Sequence, residues 1–184
     1  KELLSLLIDD FKVIPSNIDE KIKNIPPKKL VKNISFKKGR EVKQKVNKKN
    51  VLIISADTMV FLKKQKSWEK IGKPDNKKDA KRILNQLSGK KHFVITGVCF
   101  FRNNKKHCFI DESEVFFREM KEKELEKYLD QAAWQDKAGA YAIQEQGGGF
   151  VKKYTGSLSN IWGFPLGKVA KTLKRAGFEV KSNW

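Results

Sequence analysis

Val51-Leu52-Ile53-Ile54-Ser55-Ala56-Asp57 is the stretch on which the fold turns. A run this short, apolar and rich in β-branched side chains fits a strand buried on both faces, the kind found where helices cover a sheet. The carboxylate of Asp57 then falls outside the carboxyl end of that strand, where open α/β sheets hold their ligands. An aspartate there is equally suited to capping a turn or a helix. Position alone leaves both readings open.

Working outward, residues 59–62 continue this strand or pair beside it, and a lysine-rich loop ends at Ile71-Gly72-Lys73-Pro74-Asp75. Asp75 or Asn76 can cap a helix over 77–87, where Ala80, Ile83, Leu84 and Leu87 keep helical spacing and Ser88-Gly89 ends it. Residues 92–101, 107–111 and 113–117 read as successive strands joined by tight turns. A helix over 121–131, a loop at 136–141, a strand at 150–154 and a helix from about 166 to 176 follow. On the amino-terminal side, residues 1–10 suit a helix and 11–14 a short strand, and 15–27 form a polar loop. Pro27 suits the first turn of a helix running to about Val46, with Leu30 and Ile34 on its apolar face and Lys38 on or beside it. Helices and strands alternate with hairpins in the middle, so the expectation is an α/β fold: a single-domain mixed sheet flanked by helices.

A length of 184 residues with 39% hydrophobic content supports one domain with a real core. No apolar run reaches the ~18 residues of a membrane span, and the start lacks the pattern of a secretory signal. A soluble cytoplasmic protein with no membrane partner is expected. The formal charge is +19, and the excess sits in the first half, with 25 basic against 10 acidic residues in 1–91. Only Arg40, Arg82, Arg102, Arg118 and Arg175 are arginines. Base and phosphate recognition leans on arginine's planar fork, so sequence-specific nucleic-acid binding is not expected. The charge would still draw phosphorylated ligands. Cys99 and Cys108 face each other if Asn103-Asn104 form the turn; a disulfide is conceivable, but two buried thiols are expected in a reducing compartment.

Several side chains suit chemistry on phosphates. Asp19-Glu20 is a carboxylate pair in a loop. Alone it reads as solvated charge; folded back near Asp57 it would help hold a hard cation such as magnesium. Lys73 sits in Gly72-Lys73-Pro74 and Lys137 in Asp136-Lys137-Ala138-Gly139. Each is a solvated charge or, aimed at one site, a phosphate clamp. At Gly72 the missing side chain would allow close approach. Gln144, on an expected short strand after Tyr141-Ala142-Ile143, offers a donor and an acceptor that suit the edge of a nucleobase. His92 and His107 have no nucleophile nearby in sequence and read as structural.

Set in order, Asp19-Glu20, Lys38, Ser55-Ala56-Asp57-Thr58, Gly72-Lys73-Pro74, Leu87-Ser88-Gly89 with His92 and Thr96-Gly97-Val98, Ser113-Glu114-Val115-Phe116-Phe117, Asp136-Lys137-Ala138-Gly139-Ala140-Tyr141 with Ile143-Gln144, and Gly156-Ser157 with Asn160 and Gly163-Phe164-Pro165-Leu166 closely resemble the Maf family, the septum-formation-type nucleotide pyrophosphatases. The resemblance covers essentially the whole chain. It implies the fold shared with inosine-triphosphate pyrophosphatases, commonly as a homodimer, with residues 1–184 one Maf-like domain. It also implies hydrolysis of a nucleoside triphosphate to the monophosphate and pyrophosphate with a divalent metal, Mg2+ or Mn2+. Asp57 matches the family's catalytic acid/base residue. Glu20, Lys38, Lys73 and Lys137 match phosphate- or metal-binding positions, with Glu20 and Asp57 the metal ligands. Thr58 and Gln144 match positions linked to base selection. The lysine-containing stretch 136–141 followed by Ile143-Gln144 is similar to the branch that cleaves dTTP and UTP rather than the one preferring 7-methyl-GTP.

One departure stands out. Family members begin with a strand and a Ser-x-x-Arg-Arg-like loop before a Glu-Leu-Leu helix, whereas this sequence opens at Lys1-Glu2-Leu3-Leu4. The expectation is that the native start lies upstream. The rival reading is a catalytically impaired Maf-like scaffold that binds nucleotides or nucleic acid through its positive first half.

Overall fold

The computed structural model describes residues 1–20, 25–46, 48–144 and 146–181. Its elements are α1 (Glu2–Ser5), α2 (Pro27–Val46), β1 (Leu52–Lys63), β2 (Trp68–Ile71), α3 (Lys77–Leu87), β3 (Lys91–Arg102), β4 (Lys105–Phe117), α4 (Glu122–Asp130), β5 (Val151–Thr155), α5 (Leu158–Ile161) and α6 (Leu166–Arg175). The five strands form one sheet in the order β2-β1-β3-β4-β5. β1 pairs antiparallel with β2, Val60 opposite Ile71, and β4 with β5, Val115 opposite Tyr154. The expected α/β architecture, a sheet with helices, is present.

By contacts the chain divides into two compact units, Lys1–Thr58 with Thr96–Asp111 and Gly163–Trp184, and Met59–Ile95 with Glu112–Trp162. The first unit packs Leu7, Val98, Phe100, Leu166, Val169, Ala170 and Leu173 into a core, with Leu52, Ile54 and Ala56 partly buried against it. The apolar stripe of α6 supplies four of these seven. The second has its own core, in which Ala80, Ile83, Leu84 and Leu87 of α3 meet Leu125, Tyr128 and Leu129 of α4. Asn76 caps α3 by accepting from the Asp79 N–H at 2.9 Å, and Gly89, at φ +67°, takes the chain out of it.

Several expectations are corrected. Of the two readings of residues 59–62, continuation holds: β1 runs through Asp57 to Lys63, so Asp57 lies within the strand and not outside its carboxyl end; the fully buried stretch is residues 59–62, with residues 52–56 half-buried. The reason is composition: Thr58-Met59-Val60-Phe61-Leu62 is as good a strand as the run before it. The amino-terminal helix is one turn long, and residues 11–14 pair with no strand; Val13 is 61% exposed. The two strands expected at 107–111 and 113–117 are the single strand β4. Residues 143–144 form a turn rather than a strand, and Gln146–Phe150 a short 3-10 helix. Part of the expected loop, residues 21–24, lies outside the described residues.

Cys99 and Cys108 are joined as a disulfide, their Cα atoms 4.1 Å apart, where two free thiols are expected. The hairpin turn at Asn103, φ +51°, sets the two cysteines opposite each other on β3 and β4. Register rather than compartment decides their distance.

Candidate functional site

α2 lies close against the strands because glycine is present at two contact points. A Cβ on Gly39 would collide with the Phe101 ring and the Ser55 hydroxyl, and one on Gly97 with the Val31 carbonyl. Ser55 Oγ donates to the Ser35 carbonyl at 2.7 Å, fastening the helix to β1. With Ile34 and Gly39 turned inward, Lys38, one turn after Ile34, is carried to the inner edge of the helix.

There Lys38 meets two carboxylates. Its ammonium donates to Asp57 Oδ1 at 2.8 Å and lies 2.7 Å from Glu20 Oε1. Asp57 is buried, its side chain 8% exposed, whereas that of Lys38 is 24% and that of Glu20 46% exposed. Burial is the largest single influence on Lys38 and works to lower its pKa. The hydrogen bonds it donates to Asp57 and then to Glu20, with the charges of both, outweigh it and hold the ammonium form. A loop, a helix and a strand thus converge on one charge cluster. Asp19, beside Glu20, is exposed.

Next along β1, Thr58 Oγ1 donates to the Gly163 carbonyl at 2.8 Å and lies 2.8 Å from Thr96 Oγ1. A threonine hydroxyl has one proton. With it committed to Gly163, Thr58 can offer a ligand only a lone pair. Thr96 is fully buried; its place beside Thr58 needs the β1–β3 pairing and could not be inferred from the stretch Thr96-Gly97-Val98 alone.

The other predicted residues belong to the second unit. The Gly139 N–H donates to the Gly72 carbonyl at 3.1 Å, which draws the Lys73 and Lys137 loops together. Lys73 is 63% exposed and 4.0 Å from Asp136 Oδ1, a loose surface pair worth little. Lys137 is half-buried, and Gln144 is exposed on its turn. The close approach expected at Gly72 is not required by packing, since a Cβ there would meet nothing within 4 Å. Glu20, Lys38, Asp57 and Thr58 are therefore gathered in one unit, and Lys73, Lys137 and Gln144 in the other.

His92 is structural, as its sequence setting suggests. It is fully buried, its Nε2 lies 2.8 Å from the Tyr141 hydroxyl, and burial lowers its pKa to about 3. Burial likewise raises that of Tyr141. Asn160, also fully buried, donates to the Val94 carbonyl and to Ser113 Oγ, each at 3.0 Å. These bonds give Ser113 and Asn160 a structural task in the second unit.

The Glu20–Asp57 pair suits a hard divalent cation, for which carboxylate oxygens are the fitting donors. Among the described residues no group of three or more His, Cys, Asp or Glu is placed to hold a metal. Two carboxylates from the protein would leave positions for phosphate oxygens and water, the usual pattern for magnesium on a triphosphate. Among the described residues no helix is long and apolar enough to cross a membrane.

Comparison with known proteins converges on one family. A family model described as Maf-like protein matches residues 1–176. The chain is 38% identical over 182 residues to a dTTP/UTP pyrophosphatase of Thermococcus kodakarensis, covering 99% of this chain and 94% of that one. It is 42% identical over 168 residues to a dTTP/UTP pyrophosphatase of Thermosipho africanus, covering 91% and 83%. With that of Caldicellulosiruptor saccharolyticus it shares 37% over 184 residues, covering 97% and 90%.

Proposed function

The chain belongs to the Maf family, and on that premise we propose that it is a nucleoside triphosphate pyrophosphatase cleaving dTTP and UTP, with modified pyrimidine triphosphates as further substrates. The observation that carries the reading is Lys38 held between Glu20 and the buried Asp57, an acid/base and phosphate-binding group in one cluster. The related dTTP/UTP pyrophosphatases support the choice of substrate.

In this reading a water oxygen forms a bond to the α-phosphorus and the bond to the β-phosphate breaks, releasing pyrophosphate. Asp57 takes the proton the water loses, as a general base. Lys38, Lys73 and Lys137 bind phosphate oxygens and offset the charge that develops on them. Thr58, through its remaining lone pair, and Gln144, through its amide, contribute to base selection. A divalent cation, Mg2+ or Mn2+, held by Glu20 and Asp57, would neutralise phosphate charge when bound.

We read residues 1–184 as one Maf-like domain, acting in the cytoplasm as a homodimer; light scattering should then give twice the 21.2 kDa of one chain. The activity is tested by incubating the protein with magnesium and a panel of dTTP, UTP, CTP, GTP and 7-methyl-GTP. Pyrophosphate should appear fastest from dTTP and UTP. A panel in which no triphosphate yields pyrophosphate above the protein-free control overturns the reading.

A further inference from the structure

Glu20 and Asp57 approach one ammonium from two directions, at 2.7 and 2.8 Å. Two carboxylates drawn to one point need a positive charge between them, or one must take a proton. Lys38 supplies that charge. A divalent cation taking oxygens from the same two carboxylates answers the same need, and two cations sharing those oxygens repel each other strongly at this range. Lysine suits an exchangeable counter-ion: its charge rides on a flexible four-carbon stem, so the ammonium can leave by rotation of the side chain while α2 stays fastened.

We propose that Lys38 is the resident counter-ion of the Glu20–Asp57 pair, and that an arriving divalent cation expels its ammonium toward the phosphates of the triphosphate. The inference rests on the proposed function for the identity of cation and triphosphate. It adds that the free cation binds poorly, and that cation and triphosphate enter as a package in which each strengthens the other's binding. The first unit alone contains this exchange, since Glu20, Lys38 and Asp57 all belong to it.

The test uses Mn2+ alone, without nucleotide, followed by calorimetry. Lys38→Met should bind Mn2+ about ten-fold tighter than the wild-type chain, or more, once the like charge is gone. Lys38→Arg, which keeps the charge, should bind it no tighter than wild type. Equal affinity for wild type and the methionine variant overturns the proposal. A second measurement needs no variant. Reductive methylation followed by peptide mass analysis should find Lys38 several-fold more reactive under saturating Mn2+, with exposed Lys48 unchanged as the control. A Lys38 that reacts no faster with the cation bound has not been expelled, and the proposal fails. Neither readout depends on turnover. An inert triphosphate panel would therefore sink the functional reading and leave these results standing, and the converse also holds.

Discussion

Lys38 and Lys73 are the same side chain with related proposed tasks, placed in two different settings. In the first unit Lys38 is half-buried, pinned between two carboxylates and carried on a helix that glycines allow to press against β1 and β3. In the second, Lys73 stands on an exposed loop, 4.0 Å from a still more exposed aspartate, beside a Gly72 that packing does not need. In the first, the carboxylates and the helix that carries Lys38 are already in place and only the flexible lysine stem has to move; in the second, the ligand meets exposed loops. Residues of the first kind should act mainly on the chemical step, those of the second mainly on binding.

The largest effect should come from Asp57→Asn, which keeps the shape of the side chain but cannot take a proton. We expect kcat to fall about 10²–10⁴-fold, with a melting temperature within a few degrees of wild type. Full turnover in that variant would remove the acid/base role. Next come the two lysines. Lys38→Met should lower kcat by roughly a hundred-fold, while Lys73→Met should mainly raise KM, by about ten-fold. Equal and identical losses would erase the distinction between the two settings.

The glycines carry the same contrast into stability. Gly39→Ala forces a methyl group into Phe101 and Ser55 and should cost about 1–3 kcal/mol in urea unfolding. Gly72→Ala should stay within about 0.5 kcal/mol. A smaller, pH-dependent effect belongs to the second unit. His92 has a folded pKa of about 3, below the ~6.5 of an unfolded histidine. Between those values the unfolded chain binds a proton that the folded chain does not. Its contribution to stability is present above pH 6.5 and drains away as pH falls, by up to about 1.4 kcal/mol per pH unit. Urea unfolding at pH 7 and pH 5 should show the loss, and His92→Gln should flatten it. An unchanged slope in the glutamine variant would assign acid sensitivity to other groups.

Much of the fold was legible because it rests on local rules. α3 could be read from its apolar spacing and the capping Asn76, and α2 from Pro27 and the face shared by Leu30 and Ile34. What failed needed a partner that sequence does not name. Residues 11–14 look like a strand but pair with none among the described residues, and Val13 is left exposed. Gln144 falls on a turn because residues 143–144 pair with no strand. In the site, Glu20, Lys38 and Asp57 were each visible as candidates. Thr96 was visible only as part of the stretch Thr96-Gly97-Val98, and nothing in the sequence pointed to its contact with Thr58.

By itself the sequence determined the α/β character of the chain, its helix boundaries at α2 and α3, and the ordered residues that mark the Maf family, since periodicity, caps and residue order are properties of the chain alone. Only the tertiary structure decided that Asp57 lies within a long strand rather than beyond its end, that Cys99 and Cys108 are joined, and that Lys38 reaches both Glu20 and Asp57. These outcomes hang on distances between residues far apart in the chain. Strand register and the close seat of α2 set those distances, and no local preference encodes them.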